Sequence, residues 1–177
     1  NAVPAEAKYD NEHFVFDAAT GTITEYTGES YRLDVPETID GVSVRTIGAN
    51  AFNGNWNLIY LTLPEGLTAI EDGAFESAYQ LSFVEFPSTL RTIGNRAFYN
   101  YRGGKLMLPE GLERIGDEAF YRCSVRGTLE LPEGLKEIGD SAFARSIFMR
   151  TLDLPSTLEI IGEHAFEDVS LSYVYMD

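Results

Sequence analysis

An Ala-Phe pair recurs along this chain at an almost constant interval. The steps between successive pairs are 23, 23, 22, 23 and 23 residues. The six copies are Ala51-Phe52, Ala74-Phe75, Ala97-Phe98, Ala119-Phe120, Ala142-Phe143 and Ala165-Phe166. A fixed period of this length is typical of a solenoid, in which one short unit stacks on copies of itself. The sequence therefore predicts a repeat solenoid, a class that usually acts through long surfaces rather than catalytic pockets.

Length and charge narrow the class of protein further. The 177 residues suit one domain with ample core. The net charge of -15 opposes binding to nucleic acid and anionic membranes, which requires Lys and Arg. No apolar run approaches the roughly 18 residues of a membrane span. Residues 1–10 lack the pattern of a signal peptide, which fits a mature or trimmed chain as well as a chain without one.

A short alternating segment precedes a proline in each repeat. Its apolar members point to one side of a strand, because successive side chains in a strand alternate between faces. The inward pairs are Leu33/Val35, Leu61/Leu63, Val84/Phe86, Leu106/Leu108, Leu129/Leu131 and Leu152/Leu154. Proline then ends the strand, since it cannot donate a ladder hydrogen bond. We expect copies of this strand to stack into a parallel sheet along the solenoid.

The second half of each repeat reads Leu-x-x-Ile-Gly-x-x-Ala-Phe, as in residues 90–98. Leucine and isoleucine are expected to point inward from a short extended or bent segment. The glycine is expected at positive φ in a sharp turn. Alanine lets neighbouring coils approach, and the phenylalanines are expected to form a stacked spine of core rings. The residues that follow are expected to form a helical turn or an irregular bend.

The combined frame Leu-x-x-Val-x-Phe-Pro-x-x-Leu-x-x-Ile-Gly-x-x-Ala-Phe closely resembles the BspA-like leucine-rich repeat family of bacteria, from about Phe14 to Asp177. The resemblance implies a right-handed superhelix of short parallel β-strands joined by turns or short helical segments. It also implies a secreted or cell-surface protein, usually an adhesin for proteins, matrix or other cells. Glu71 departs from the frame, which places glycine there. Cys123 alone keeps a cysteine that many members repeat, and is expected to be a small buried residue.

The two ends depart from the repeat. Residues 1–13 are expected to form a loose arm, 14–45 an N-terminal β-hairpin or meander cap with the first strand, and 46–177 the solenoid, all within one structural domain. The meander is predicted to include residues 31–35 as its third strand. Asp40-Gly41 is expected at the turn of an inserted hairpin.

The outward face of the stacked strands is the predicted binding surface. Its candidate ligand-binding residues are Arg32, Tyr60, Phe83, Lys105 and Met107. Their side chains alternate with the buried ones, and exposed aromatics on such a face are candidate anchors. The alternative is that the aromatics only cover the sheet. Glu130 and Asp153 are weak candidates for a calcium site, with solvated carboxylates the competing interpretation.

No catalytic or metal-binding motif is present in the sequence. His13 and His164 are distant from each other, and one cysteine completes no zinc pattern. His164 occupies a repeat position with Asn50, Gly73, Arg96, Glu118 and Ser141, which is predicted to face solvent. We expect no catalytic residue and no cofactor.

Three functions are compatible with these features. The first is a non-catalytic surface-binding module for a protein or glycan ligand, without nucleic-acid partners or a membrane span in this chain. The second is a structural spacer that presents another domain of a longer surface protein. The third and most remote is a hydrolase with paired carboxylates, which requires a cleft that holds them at a set separation.

Overall fold

The computed structural model describes residues 11–104, 106–125, 129–148, 152 and 154–171. The described chain is a β-solenoid in which each coil supplies very short strands joined by turns. A single 3-10 turn covers Asn11–His13. The strands are β1 Phe14–Asp17, β2 Thr22–Tyr26, β3 Arg32–Asp34, β4 Thr38–Ile39, β5 Val42–Ser43, β6 Thr46–Ile47, β7 Tyr60–Thr62, β8 Ala69–Ile70, β9 Phe83–Glu85, β10 Thr92–Ile93, β11 Arg114–Ile115, β12 Glu137–Ile138, β13 Ile147–Phe148, β14 Ile160–Ile161 and β15 Ser170–Leu171.

The longest sheet passes through the Ile-Gly half of the repeats. Its eight strands follow the order β1-β2-β6-β8-β10-β11-β12-β14, and every pair after β1-β2 is parallel. Ile47 aligns with Ile70, and Ile70 with Ile93, so one isoleucine column runs through successive coils. The segment that was expected to be extended or bent therefore forms a second short strand in these repeats.

The predicted sheet before the prolines is also present. Strands β3, β7 and β9 form a parallel three-stranded sheet, with Leu33, Leu61 and Val84 in register. An isolated parallel bridge between Met107 and Glu130 continues the same position in later coils. Leu33 and Leu61 are buried as predicted, whereas Val84 is half-buried.

In the last described coil, side chains that were predicted to point into the core are exposed. Leu154 is 51% exposed, and Ile160 and Ile161 of β14 are exposed as well. Within the described part of the chain no further coil stacks on these side chains, so their apolar surface stays in contact with solvent. This agrees with the rule that a single repeat cannot bury its own apolar side and depends on its neighbours.

The N-terminal segment forms a hairpin rather than a three-stranded meander. Strands β1 and β2 pair antiparallel, and β2 then pairs parallel with β6 of the first coil. The third segment, β3, pairs with β7 instead of β2, so it belongs to the solenoid. The inserted hairpin is confirmed: β4 and β5 pair antiparallel around Asp40 and Gly41, with φ of 51° and 80°. Two successive positive φ angles are typical of a type I′ turn.

The predicted phenylalanine spine is confirmed. The rings of Phe52, Phe75, Phe98, Phe120, Phe143 and Phe166 stack at centroid distances of 4.8, 5.1, 5.3, 5.4 and 5.5 Å. Tyr26 of β2 continues the stack on the N-terminal side, 5.0 Å from Phe52, and Phe14 packs on Tyr26. The hairpin therefore covers the aromatic end of the first coil.

The glycine after the isoleucine does not have the predicted positive φ. Positive φ falls two residues later, at Asn50, Gly73, Arg96, Glu118, Ser141 and His164, and again at a second repeat position on the turn. The glycine is needed because neighbouring coils approach closely. A Cβ on Gly116 would lie 2.5 Å from Asn95 Oδ1 and 2.7 Å from Asn95 N, both in the preceding coil.

A ladder of side-chain acceptors runs beside these glycines. Asp72 Oδ1 accepts a hydrogen bond from Asn95 N at 2.7 Å, and Asn95 Oδ1 accepts one from Asp117 N at 2.8 Å. Asp117 and Asp140 repeat the contact toward the next coils. Each acceptor satisfies a backbone N–H that would otherwise lack a partner at the turn.

The ladder is altered at Glu71, which stands in place of the glycine. The preceding coil carries Ala49 at the acceptor position, so no carboxylate or amide oxygen occupies the space beside residue 71. Glu71 instead turns its own carboxylate back, and Ala49 N donates to Glu71 Oε2 at 3.0 Å. The departure from the repeat frame is thus compensated locally, with the direction of the hydrogen bond reversed between the two coils.

Candidate functional site

The aromatic pair of the predicted face lies on adjacent strands. Tyr60 of β7 and Phe83 of β9 are in register, and their rings stack at a centroid distance of 4.9 Å with planes 8° apart. Phe83 is 46% exposed, while Tyr60 is half-buried. Arg32 is the neighbour of Tyr60 on β3 and is also half-buried. Alternation along three short strands thus places these side chains opposite the core.

Met107 is exposed in the coil after Phe83, at the repeat position of Glu85 and Glu130. Its side chain is 61% exposed, and its backbone bridges to Glu130, whose side chain is exposed. Lys105 and Asp153 lie outside the described residues. The surface formed by Arg32, Tyr60, Phe83 and Met107 is called the strand face below.

The other end of the same strands is acidic. A groove of about 880 Å³ contains Arg32 and four carboxylates, contributed by Asp34, Glu37, Glu65 and Glu85. Thr62 Oγ1 donates to Glu85 Oε2 at 3.5 Å, between neighbouring strands. Ser88 N and Oγ both donate to the Glu65 carboxylate at 3.0 Å. The backbone hydrogen bond from Ser88 contributes most to lowering the pKa of Glu65.

A second groove holds a cluster of arginines that the sequence did not single out. Its volume is about 620 Å³, and its lining includes Arg102, Arg122 and Arg145 together with Phe83 and Ile147. All three arginines are exposed. Phe83 belongs to both regions, so the arginine groove adjoins the strand face. Arg122 and Arg145 occupy the same repeat position, 23 residues apart. This repeated arginine is the feature of the sequence from which two members of the groove could have been predicted.

An exposed aromatic row was also missed. Trp56 is 74% exposed and Tyr79 is 55% exposed, and they occupy equivalent positions in successive coils. Arg102, Ser124 and Ile147 continue the row. Ser124 and Ile147 form a parallel bridge, and β13 pairs with β15 beyond it. The row therefore runs along the solenoid and ends in the arginine groove.

Arg96 lies on another side of the coils and is fully engaged. Its guanidinium contacts the carboxylates of Glu76, at 2.5 Å, and Glu118. The hydrogen bond that the Arg96 guanidinium donates to the Glu76 carboxylate is the main cause that raises the pKa of Arg96. Its guanidinium carbon also lies 4.1 Å from the Tyr99 ring centroid, and Tyr99 stacks on Tyr121 at 5.1 Å.

The repeat position of Arg96 was predicted to face solvent, which is only partly correct. Arg96, Glu118 and Ser141 are half-buried and Gly73 is buried, because the left-handed turn draws them against the neighbouring coil. Asn50 and His164 are exposed. His164 Nδ1 lies 3.4 Å from Glu167 Oε2, and its side chain is largely in solvent.

Cys123 is buried as predicted. Burial raises the pKa of its thiol, and Sγ lies 3.5 Å from the Phe98 carbonyl oxygen. In the next coil Ser146 takes the equivalent place: its Oγ donates to the Phe120 carbonyl at 2.8 Å and accepts from Cys123 N at 3.0 Å. This column is a set of interior packing positions rather than a reactive site.

The described residues contain no buried carboxylate. Within the same ranges no group of three His, Cys, Asp or Glu side chains is arranged to hold a metal ion. Over the described positions no helix is long and apolar enough to cross a membrane.

The repeats match the model of the BspA type leucine rich repeat region (6 copies) over residues 43–174. The chain therefore belongs to the BspA-type leucine-rich repeat family. Comparison with curated proteins finds no match.

Solved bacterial leucine-rich repeat proteins share the fold. The T. pallidum leucine rich repeat protein is 22% identical, with a TM-score of 0.58 over 95% of this chain and 86% of its own. A leucine-rich repeat protein of Bacteroides ovatus is 20% identical, with a TM-score of 0.64, and the match covers 88% of this chain and 46% of that protein. A leucine rich cell surface protein of Faecalibacterium prausnitzii is 23% identical, with a TM-score of 0.59, and the match covers 94% of this chain and 53% of that protein. The chain spans about half the length of the last two.

Proposed function

We propose that this chain is a non-catalytic binding module of a bacterial cell-surface or secreted protein, and that it binds a protein or glycan ligand through the strand face. The observation that carries the proposal is the Tyr60–Phe83 stack, 4.9 Å between centroids, in which the Phe83 side chain is 46% exposed. Exposed apolar clusters on a folded domain commonly mark interaction sites. Aromatic anchors carry a large share of the binding free energy at such sites.

The rigidity of the face supports the proposal. Tyr60 and Phe83 project from strands held in register by backbone hydrogen bonds, over the buried Leu61. An anchor that is ordered before binding loses little conformational entropy when a ligand arrives. The acidic groove at the other end of the strands supplies polar partners, which can set the orientation of a ligand.

The cell-surface location is supported by the family and by the F. prausnitzii protein, which is a leucine rich cell surface protein. Leucine-rich repeat domains as a class offer extended surfaces for partners.

The test is a binding screen of the chain against immobilised glycans and host matrix proteins, followed by variants of the strand face. Tyr60→Ala/Phe83→Ala is expected to weaken the strongest specific interaction while the fold persists. The matched control is Tyr99→Ala/Tyr121→Ala, which removes a second stacked pair, 5.1 Å apart, on another side of the coils.

Loss of binding in the strand-face variant alone supports the proposal. Equal loss in both variants, or no loss in either, contradicts the assignment to this face. A chain that binds nothing in the screen favours the spacer function, which the unbroken spine of stacked rings also suits.

A further inference from the structure

The C-terminal end of the eight-stranded sheet is an open edge with exposed apolar side chains. Strand β14 pairs with β12 on one side, and no described strand pairs with its other side. Ile161 continues the isoleucine column that is buried in the inner coils, yet it is 48% exposed, and Ile160 is 55% exposed. The other end of the sheet is formed by the β1–β2 hairpin. An open strand edge with apolar side chains favours pairing with a further strand.

Backbone groups of β14 are left without partners at this edge. In the preceding coil, the carbonyl groups of Lys136 and Ile138 accept hydrogen bonds from β14 and from the glycine that follows it. The equivalent carbonyl groups of the last coil belong to Glu159 and Ile161, and no described residue donates to them. A segment that binds here can donate its own backbone N–H groups to these carbonyls, as each inner coil does to the coil before it.

The turn after β14 is open in the same way. In the preceding coil, Ser141 N and Phe143 N donate to carbonyl groups of the last coil. The equivalent donors of the last coil are His164 N and Phe166 N, and neither has an acceptor among the described residues. A segment that carries the frame of this repeat and runs parallel to β14 can bond to both the strand and the turn.

Charge specifies this segment further. One column of the solenoid alternates in sign along the coils, through Arg91, Glu113, Lys136 and Glu159. The Glu113 carboxylate lies 3.9 Å from Arg91 Nε and 3.6 Å from Lys136 Nζ. Glu159 and its edge neighbour Glu163 are exposed, and neither forms an ion pair with a described residue. A cation that stacks on Glu159 therefore continues the alternation, and opposite charges on neighbouring strands stabilise a sheet.

We propose that the β14 edge binds an extended basic segment of a partner protein by strand addition, and that the segment has the pattern Leu-(Lys/Arg)-x-Ile-Gly. Its isoleucine covers Ile161, and its lysine or arginine pairs with Glu159. A second copy of this chain does not fit, because its C-terminal end is equally acidic and its N-terminal end carries the β1–β2 hairpin. The strand face lies on another sheet, so this proposal does not rest on the function proposed above.

The probe is a synthetic peptide with the sequence of residues 87–98, a copy of the frame that contains Arg91 and Arg96 and no acidic residue. Its affinity for the full chain is measured by NMR titration at about 0.15 M salt. We expect Ile161→Thr to weaken binding by about tenfold, because it removes apolar surface that binding buries. The matched control is Ile147→Thr, whose isoleucine lies on β13 and is 46% exposed. Urea midpoints check that both variants fold.

Charge reversal separates a specific site from general attraction between a basic peptide and an acidic protein. Glu159→Lys is expected to lower the affinity by about three- to tenfold, and an Arg91→Glu peptide is expected to restore it on that variant. The control Glu29→Lys makes the same change of net charge at an exposed residue near the N-terminal end, and we expect less than about a twofold effect. Binding is also expected to slow hydrogen exchange at His164 N and Phe166 N, which gain acceptors.

Four results overturn the proposal. These are no binding up to about 1 mM peptide, equal losses in the two isoleucine variants, equal losses in the two glutamate variants, or dimerisation of the chain that Ile161→Thr abolishes. The last result assigns the edge to a second copy instead. Tyr60→Ala/Phe83→Ala is expected to bind the peptide as the wild type does, whatever its effect on a ligand of the strand face. Loss of peptide binding in that variant contradicts the assignment to the edge.

Discussion

The interior spine and the exposed rows differ in how strictly their residues repeat. Inside, six phenylalanines stack along the axis. The angle between the planes of successive rings falls from 23° at the first pair to 1° at the last. Outside, one row reads Trp56, Tyr79, Arg102, Ser124 and Ile147, with no residue type used twice. Each interior side chain must fit the coils above and below it, whereas an exposed one meets solvent. The repeating positions therefore determine stability, and the non-repeating positions are free to encode recognition.

The largest expected effect on stability comes from removing one ring of the phenylalanine spine. Phe98→Ala removes a ring packed between Phe75 and Phe120, and we expect a loss of about 3–5 kcal/mol in unfolding free energy. Urea denaturation measures it, with Tyr99→Ala as the surface control at the adjacent position. A loss below about 1 kcal/mol at Phe98 contradicts the spine as the main stabilising element.

The next effect tests the close approach of the coils. Gly116→Ala places a Cβ 2.5 Å from Asn95 Oδ1, so the coils must separate locally, at about 1–3 kcal/mol. Glu71→Ala at the equivalent position is expected to cost only one hydrogen bond, about 1 kcal/mol. Equal stability of Gly116→Ala and the wild type by urea denaturation is inconsistent with this reason for glycine.

A smaller effect concerns the buried thiol. Because burial raises the pKa of Cys123, the folded chain keeps the thiol proton that the unfolded chain releases above about pH 8.5. This part of the stability is complete below that pH. It falls as pH rises further, by up to about 1.4 kcal/mol per pH unit.

Urea midpoints between pH 7 and 10 measure the effect of the thiol. Cys123→Ser is the control, because a serine fits the same place in the next coil at Ser146. The variant is expected to lack the cysteine contribution to the alkaline decline. A wild-type thiol that reacts with a disulfide reagent in the native state at pH 7 is evidence against its burial.

The smallest effect is expected at the acidic groove. The Ser88 hydrogen bonds lower the pKa of Glu65, so its contribution to stability is present above about pH 4.3 and is lost as pH falls through the lowered value. Glu65→Gln should reduce the acid-side loss slightly. Thermal melts from pH 6 to 3 compare it with the wild type, and identical profiles for the two proteins contradict the role of Ser88.

The interior was more predictable from sequence than the surface, for physical reasons. The phenylalanine spine and the strand before each proline follow from spacing and alternation, because both are dictated by burial. The eight-stranded sheet was missed because two-residue strands such as Thr92–Ile93 are too short to show alternation. The glycine conformation was wrong because glycine serves both positive φ and close backbone approach, and spacing alone does not distinguish them.

The arginine groove was missed because only Arg122 and Arg145 share a repeat position, while Arg102 comes from another one. Arg102 and Arg122 are 20 residues apart, so they do not share a column, and only the lateral packing of coils brings them into one groove. The strand face was reached from alternation because Tyr60 and Phe83 do share a column. Its role in binding stays a prediction.

The most direct test of the division between interior and surface is a binding measurement with the strongest ligand found in the screen. Its affinity is compared for three proteins that have the same urea midpoint. These are the wild type, Tyr60→Ala/Phe83→Ala and Tyr99→Ala/Tyr121→Ala. We predict that the strand-face variant loses at least about 2 kcal/mol of binding free energy, more than ~1 kcal/mol per aromatic anchor, while the control stays within about 0.5 kcal/mol. Unchanged affinity in the strand-face variant would contradict the account.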